Sequence, residues 1–525
     1  MDARQLREVI GSLPSDLHVW CRGSSVLRQI LFQTSLDRSL EAARAVATGD
    51  LAAAHRVRDR WAHAVAALVD WGSRYACGAS CDPAADEVRR AIVLALDWHE
   101  LDTIKTGLAA GDMTVARTRN SHVWLDNLRR PEVEVLDMAL EQVTIPPPAS
   151  EGPSLDSVAD WFERHRGRSD LLHAIPAWIH GLMWSRAESE LRARGTTVPE
   201  DTNLGGINLA QARTCYATLL GMCNLNEICT YSLETPQTAL WFIRPPALLQ
   251  LLSRRVGQSA AEAFVRMTTF RTGRSPRTAP LVPSDSMIMI PSDLVSATGF
   301  ERTLLRAASA DPANSGALGN VLGERARRWR DRLASIPHVE VFERVLVRDG
   351  LGRTLGDLDV VAVDAADQLL LVFETKWPID ASTLAESYKI DALFDSGRQQ
   401  VNRLSDAIEA GEAEPVWPRG ASVPPMSSAR WWVGSAQQLD SRPASAQETV
   451  HTTALRLLEH LLPCGSLREL DAKLRFPPLP TRGIEFDLAE QTVRAGRVTI
   501  HFPALVLAPG MPTPPPDRRV HEGWT

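Results

Sequence analysis

Asp359, Glu374 and Lys376 are the residues of this chain that packing explains least. Asp359 lies in Gly356-Asp357-Leu358-Asp359-Val360-Val361-Ala362-Val363, and the other two in Leu371-Val372-Phe373-Glu374-Thr375-Lys376. Both stretches read as adjacent buried strands. Carboxylates are poor strand formers, and burying one is costly unless it is paired or bound to a metal. Side chains alternate along a strand, so Glu374 and Lys376 share a face and Thr375 points away. On the preceding strand Asp359, Val361 and Val363 share a face. Antiparallel pairing around Asp364–Asp367 would bring Asp359 beside Glu374 and Lys376. Two carboxylates and the Thr375 carbonyl are hard oxygen donors suited to Mg²⁺, with Mn²⁺ as the alternative. Lys376 would orient or help deprotonate an attacking water, or steady the charge that develops on phosphorus. Metal-assisted hydrolysis of phosphodiester bonds needs these parts.

The flanking text supplies elements to hold them. Leu318, Leu322, Ala326, Trp329 and Leu333 form a helical stripe, and Val339–Val347 alternates as a strand before a turn at Gly350 and Gly352. The two motif strands follow. Ile390, Phe394, Gly397, Val401, Leu404 and Ile408 give a second helical stripe, and Trp431-Trp432-Val433 a further strand. The order is α-β-β-β-α-β. Thr449–Leu462 reads as a helix, and Ile484–Leu507 as a hairpin around Arg494-Ala495-Gly496.

Asp359 followed by Glu374-Thr375-Lys376, in that order of elements, resembles the PD-(D/E)xK nuclease superfamily with its restriction-endonuclease-like domain. The text around Asp357–Asp359 and Phe373–Trp377 is most similar to the nuclease-related (NERD-like) and resolvase-like branches. The resemblance covers about residues 319–410; the proline of the motif's name is absent. It implies that Asp359, rather than Asp357, binds the metal with Glu374. It further implies a supporting glutamate on the first helix, matched by Glu324, and a glutamine on the helix after the motif, matched by Gln400 in preference to Gln399.

Basic residues cluster on the first helix of this region, where Arg325, Arg328 and Arg332 are candidates for phosphate backbone contacts. Glu324 and Asp331 would balance them if that face is merely solvated. A second basic run, Arg271, Arg274 and Arg277, lies in a loop read as solvated. The net charge of −7 excludes a uniformly basic coat, though not a local basic groove. The amino terminus has no basic segment followed by an apolar run, and no window reaches a membrane span, so the expectation is a cytoplasmic protein with no membrane partner. The cysteines (21, 77, 81, 215, 223, 229, 464) read as reduced thiols; Cys77 and Cys81 carry only a faint metal or redox hint. His63, His99, His173 and His180 lie on helical text and read as packed or surface residues. No serine-hydrolase elbow, phosphate-binding Gly-Lys-Thr loop or His-Glu-x-x-His is present.

The fold class expected is multidomain α plus α/β: a helical amino-terminal half, then a restriction-endonuclease-like domain with a mixed central sheet. The boundaries are 1–145 (helical), 154–310 (helical, with the basic loop), 311–475 (nuclease-like), 476–508 (β-hairpin extension) and 509–525 (Pro-rich disordered tail). Nucleic acid is the expected partner, DNA before RNA, and the helical half would serve regulation, targeting or self-association. Bacterial defence and DNA repair are contexts that suit such a layout by analogy of fold. Two alternatives stand beside the nuclease: a degenerate nuclease fold that only binds nucleic acid, and an interaction scaffold dominated by its helices.

Overall fold

The computed structural model describes residues 1–508 apart from 24, 48–50, 79–81, 145–155, 166–174, 194–195, 197, 233–238, 297–298, 324–325, 380, 382–383, 437 and 443–448. It is a mixed α/β protein. Among the described residues no helix is long and apolar enough to cross a membrane.

After a short helix, Ala3–Ser12, come three long ones, Val26–Ala47, Leu51–Tyr75 and Ala85–Ala110, in the region read as helical. The helical reading of this region then fails at one place. Strands β1 (Met113–Arg119) and β2 (His122–Asn127) form a hairpin, with Asn120 in the left-handed conformation at its turn (φ 54°). Asparagine tolerates that conformation, and Val123 and Leu125 alternate inward, which fits a strand period. The second helical block also carries a small sheet, β3 (Leu240–Ile243), β4 (Val282–Ser284) and β5 (Met287–Pro291), in the order β3-β5-β4.

The carboxyl half is built on a six-stranded mixed sheet. Its strands are β6 (Glu340–Asp349), β7 (Thr354–Asp364), β8 (Leu369–Lys376), β9 (Ala413–Pro415), β10 (Ala429–Ser435) and β11 (Val450–Ala454). The spatial order is β11-β10-β8-β7-β6-β9, with β10 parallel to β8 and β11 and the other pairs antiparallel. Central strands β7 and β8 are nearly continuous apolar runs because helices cover both faces. Helix Ala326–Leu333 sets Trp329 and Leu333 against Val360, Ala362, Leu371 and Phe373. Helix Leu384–Glu409 sets Phe394, Val401 and Leu404 against Val361, Val363 and Val372 on the other face.

Two sequence readings are corrected here. Thr449–Leu462 is not one helix: the β-branched run at its start pairs with β10 as β11, and the helix occupies only Leu455–Leu461. The carboxyl-terminal hairpin, β12 (Phe486–Ala495) and β13 (Val498–Leu507), is not a free extension. β13 pairs in parallel with β2, giving one sheet in the order β1-β2-β13-β12. Val123, Leu125, Ile500 and Phe502 pack from it onto Leu6, Ile10, Leu101 and Ile104. A lone hairpin is marginal in water, and joining the two gives each a buried face.

Arg129, just beyond β2, fastens this sheet to the larger one. Its guanidinium is buried and lies 3.1 Å from Asp391 of helix Leu384–Glu409 and 3.2 Å from Glu134. Its Nε donates to Ser441 Oγ at 2.7 Å.

Candidate active site

β7 and β8 pair in antiparallel register, Val360 opposite Phe373 and Val363 opposite Leu370. Their connection is closed by Asp364, whose Oδ1 accepts from the amides of Ala366 and Asp367, both at 3.0 Å. That register sets Asp359, in the middle of β7 and one residue beyond its last pair with β8, beside Glu374, Thr375 and Lys376 at the end of β8. Glu374 and Lys376 share the sheet face of Val372, the face that helix Leu384–Glu409 covers.

The Thr375 amide and hydroxyl both donate to Asp359 Oδ2, at 2.7 and 3.0 Å. Asp359 Oδ1 makes no hydrogen bond among the described residues. Glu374, 5% exposed, accepts from Lys376 Nζ on Oε1 at 2.7 Å and from Gln400 Nε2 on Oε2 at 2.9 Å. Lys376 Nζ also donates to Gln400 Oε1 at 3.3 Å, which closes a ring of three side chains. Gln399, the other glutamine considered for this position, is exposed.

Gly397, one turn before Gln400, makes the ring sterically possible. A Cβ there would lie 2.6 Å from Val433 Cγ1 and 3.3 Å from Lys376 Cε. Only a residue without one lets the helix sit this close to the sheet and lets the lysine chain pass.

The electrostatics are those of two acids forced together. Burial, then the negative charge of Asp359, raises the Glu374 carboxyl to about 7 against the pull of Lys376. Burial likewise raises Asp359, although the two Thr375 donors oppose it. Asp357, two residues away on the same strand face, adds to both effects, and the sequence reading had set it aside. Arg344 stands at the β6 position opposite Asp359 with φ 52°, and no ladder pair forms there between Glu343–Val360 and Val345–Leu358. Such a conformation is costly for a residue with a Cβ, and nothing in the local sequence announces it.

These donors fit a hard divalent cation. Among the described residues no three His, Cys, Asp or Glu side chains gather as a ready cage. Mg²⁺ does not require one, since it takes one or two carboxylates and completes its shell with water and substrate phosphate. Asp359 has an oxygen to spare, Glu374 has further lone pairs, and the suppressed ionisation of both is what a cation would relieve.

The remaining candidates fall elsewhere. Glu324 and Arg325 lie outside the described residues, as do Cys81, His173, the expected linker around Pro146–Pro153 and the tail from 509. Arg328 and Arg332 both reach Glu459, at 3.3 and 2.9 Å. Their helix packs through Trp329 on Phe373, on the sheet face opposite Glu374. They are therefore not gathered with the carboxylates. Arg403, which the sequence reading did not single out, lies closer. It is exposed, three residues beyond Gln400, and its Nη2 donates to the Leu355 carbonyl at 3.4 Å, at the start of the strand that carries Asp357 and Asp359.

No protein-family model, no curated protein and no solved structure matches this chain.

Proposed function

We propose that this protein is a divalent-metal-dependent nuclease of the PD-(D/E)xK type, acting on phosphodiester bonds in DNA in preference to RNA. The observation that carries the reading is the ring of Glu374, Lys376 and Gln400 beside Asp359, on one sheet face where the pairing of β7 with β8 ends. The strand and helix order around it, β6-β7-β8, helix Leu384–Glu409, then β10, supports the same reading.

Asp359 and Glu374 would hold Mg²⁺ or Mn²⁺, with the Thr375 carbonyl as a further candidate donor. The bound ion would supply Lewis-acid charge to the phosphoryl oxygens. Lys376 would hold the attacking water or steady charge on the phosphate, its ammonium kept in place by Glu374 and Gln400. Gln400 would fix the Glu374 carboxylate through the Oε2 contact, as outer partners of metal ligands do. The amino-terminal helices would regulate or target the activity, with defence against foreign DNA or repair as contexts suggested by analogy alone.

Cleavage of supercoiled, linear and single-stranded DNA and of RNA, with Mg²⁺ or Mn²⁺ at low salt, tests this. Cutting that needs the metal and disappears in both Glu374→Gln and Lys376→Met is the expected result. A second reading, a degenerate domain that binds nucleic acid without cutting it, draws support from one feature: both Glu374 oxygens are already satisfied by side chains. Metal-independent binding, unchanged in both variants and without cleavage, would favour it.

A further inference from the structure

Away from the carboxylates, a cavity of about 400 Å³ lies between helices Leu51–Tyr75 and Ala85–Ala110, the loop around Arg277 and the first turn of helix Leu384–Glu409. Loop and histidines that the sequence presents as unremarkable meet here. The His63 and His99 rings lie against each other in a tilted pair, with centroids 3.9 Å apart and planes 37° from parallel. We infer that this cavity is a binding site for a phosphate-bearing anion of mononucleotide size.

The charge pattern points that way. Each carboxylate that lines the cavity has a cation of its own: Asp70 with Arg74 at 2.9 Å, Asp102 with Lys105 at 3.0 Å, Glu386 with Arg306 at 3.1 Å. Asp59 is within electrostatic reach of Arg277. Arg274 and, beside Arg277, Arg302 add positive charge beyond these. Arg274 donates to the Met267 carbonyl at 3.1 Å and Arg302 to the Ala381 carbonyl at 3.2 Å, both neutral acceptors.

The groups at the centre register this excess. Burial, then Arg302, pushes the Arg277 guanidinium down to about 10. Burial, then Arg277, pushes His99 down to about 4, with Asp102 opposing, and holds His63 far below the usual histidine range. These shifts favour the neutral imidazole near pH 7, with one N–H to donate, although the His99 side chain also meets solvent. A guanidinium fork with neutral N–H donors suits phosphate, and a bound anion would relieve all three groups together. Trp98 adds an aromatic wall against which a base or sugar would lie, its ring edge-to-face with Trp71 at 5.0 Å. The volume falls in the range of about 300–1,000 Å³ typical of small-molecule sites.

The site also touches the helix of the proposed active site. Glu386 is in its first turn and Gln400 follows fourteen residues later, ~21 Å along the axis at the α-helical rise. An anion that changed how Arg277 and Arg306 share Glu386 would act on the element that carries Gln400.

The test uses the full chain without added metal. Orthophosphate, pyrophosphate, AMP and ATP are titrated by calorimetry and by thermal unfolding. Saturable binding of pyrophosphate or a nucleotide, with a raised melting temperature, is expected. It should weaken at least about tenfold in both Arg277→Gln and Arg274→Gln, since each removes a charge-assisted contact. Arg271→Gln, at an exposed position of the same loop, should bind as the parent does. Arg274 is only half-buried, so its variant reports on binding even where Arg277→Gln unfolds. Binding of orthophosphate as tight as that of the nucleotides would assign a simple anion site and overturn the mononucleotide size. No response to any of the four, or a response that both variants retain, would overturn the site itself.

Discussion

Gln400 bonds to both charged residues of the Glu-x-Lys pair, donating to Glu374 Oε2 at 2.9 Å and accepting from Lys376 Nζ at 3.3 Å. It thereby fixes the angle of the carboxylate without carrying charge. Outer partners of this kind are typically worth about 10–100-fold in activity or metal affinity. Gln400→Ala should lower metal-dependent cleavage by that order, whereas Glu374→Gln should abolish it. Gly397→Ala should resemble Gln400→Ala, because the added methyl pushes on Lys376 and Val433. Initial rates against Mn²⁺ concentration separate the cases: an unchanged rate in Gln400→Ala would remove the residue from the site.

Much of this neighbourhood was legible in the sequence. A period of two in two apolar runs set the shared face of Glu374 and Lys376, and the helical stripe through Phe394 and Leu404 separated Gln400 from Gln399. What could not be read arises from partners distant in the chain. β2 and β13 meet although His122 and His501 are 379 residues apart, so neither hairpin betrays the other by local pattern. His63, His99 and Arg277 each look like an isolated residue on a helix or loop, and only packing gathers them. The basic run at Arg328 and Arg332 lies across the sheet from Glu374, and charge alone does not say which face of a sheet a helix covers.

Under the proposed function, placement favours one arginine over others for contact with nucleic acid. Arg328 and Arg332 are tied to Glu459 across the sheet from the carboxylates, and Arg403 is exposed beside the strand of Asp357 and Asp359. Arg403→Gln should weaken binding of a DNA duplex and reduce the slope of log affinity against log salt by about 1, the signature of one lost phosphate contact. The double variant Arg328→Gln, Arg332→Gln should leave that slope unchanged. Fluorescence anisotropy between low and moderate salt reads both, and the reverse pattern would return the interface to the arginine helix.

Arg129, with 2% of its side chain exposed, lies among Asp391, Glu134 and Asp112, and Arg442 also acts on Asp391 and Asp112. Removing it takes the nearest cation from the buried Asp391, a loss of up to about 3–5 kcal/mol that the nearby Arg442 would soften. Arg129→Met should lower the unfolding midpoint by several degrees, and adding Asp391→Asn should recover part of the loss. A recovery would show that the penalty comes from the unpaired acid. If Arg129→Met unfolds like the parent, the two sheets are held together by other contacts.

The His63–His99 pair makes stability depend on pH with a definite sign. Burial, then Arg277, holds His99 at about 4 in the folded protein against 6.5 for a free imidazole, and His63 is shifted the same way. The unfolded chain therefore binds more protons between those values. The contribution is fully present above about 6.5 and is lost as pH falls through 4, with a size that solvent screening reduces because His99 is exposed on one side. Glu374 works in the opposite sense. Its folded carboxyl, raised to about 7, contributes stability that is fully present below 4.5 and lost as pH rises through 7. A raw melting profile mixes the two, so the difference between the parent and His99→Gln isolates the histidine. Measured in phosphate-free buffers from pH 7.5 to 4.5, the parent should lose more stability on acidification than the variant. Parallel profiles would mean that His99 titrates in the folded protein as it does in the unfolded chain and that the charge of Arg277 does not govern it.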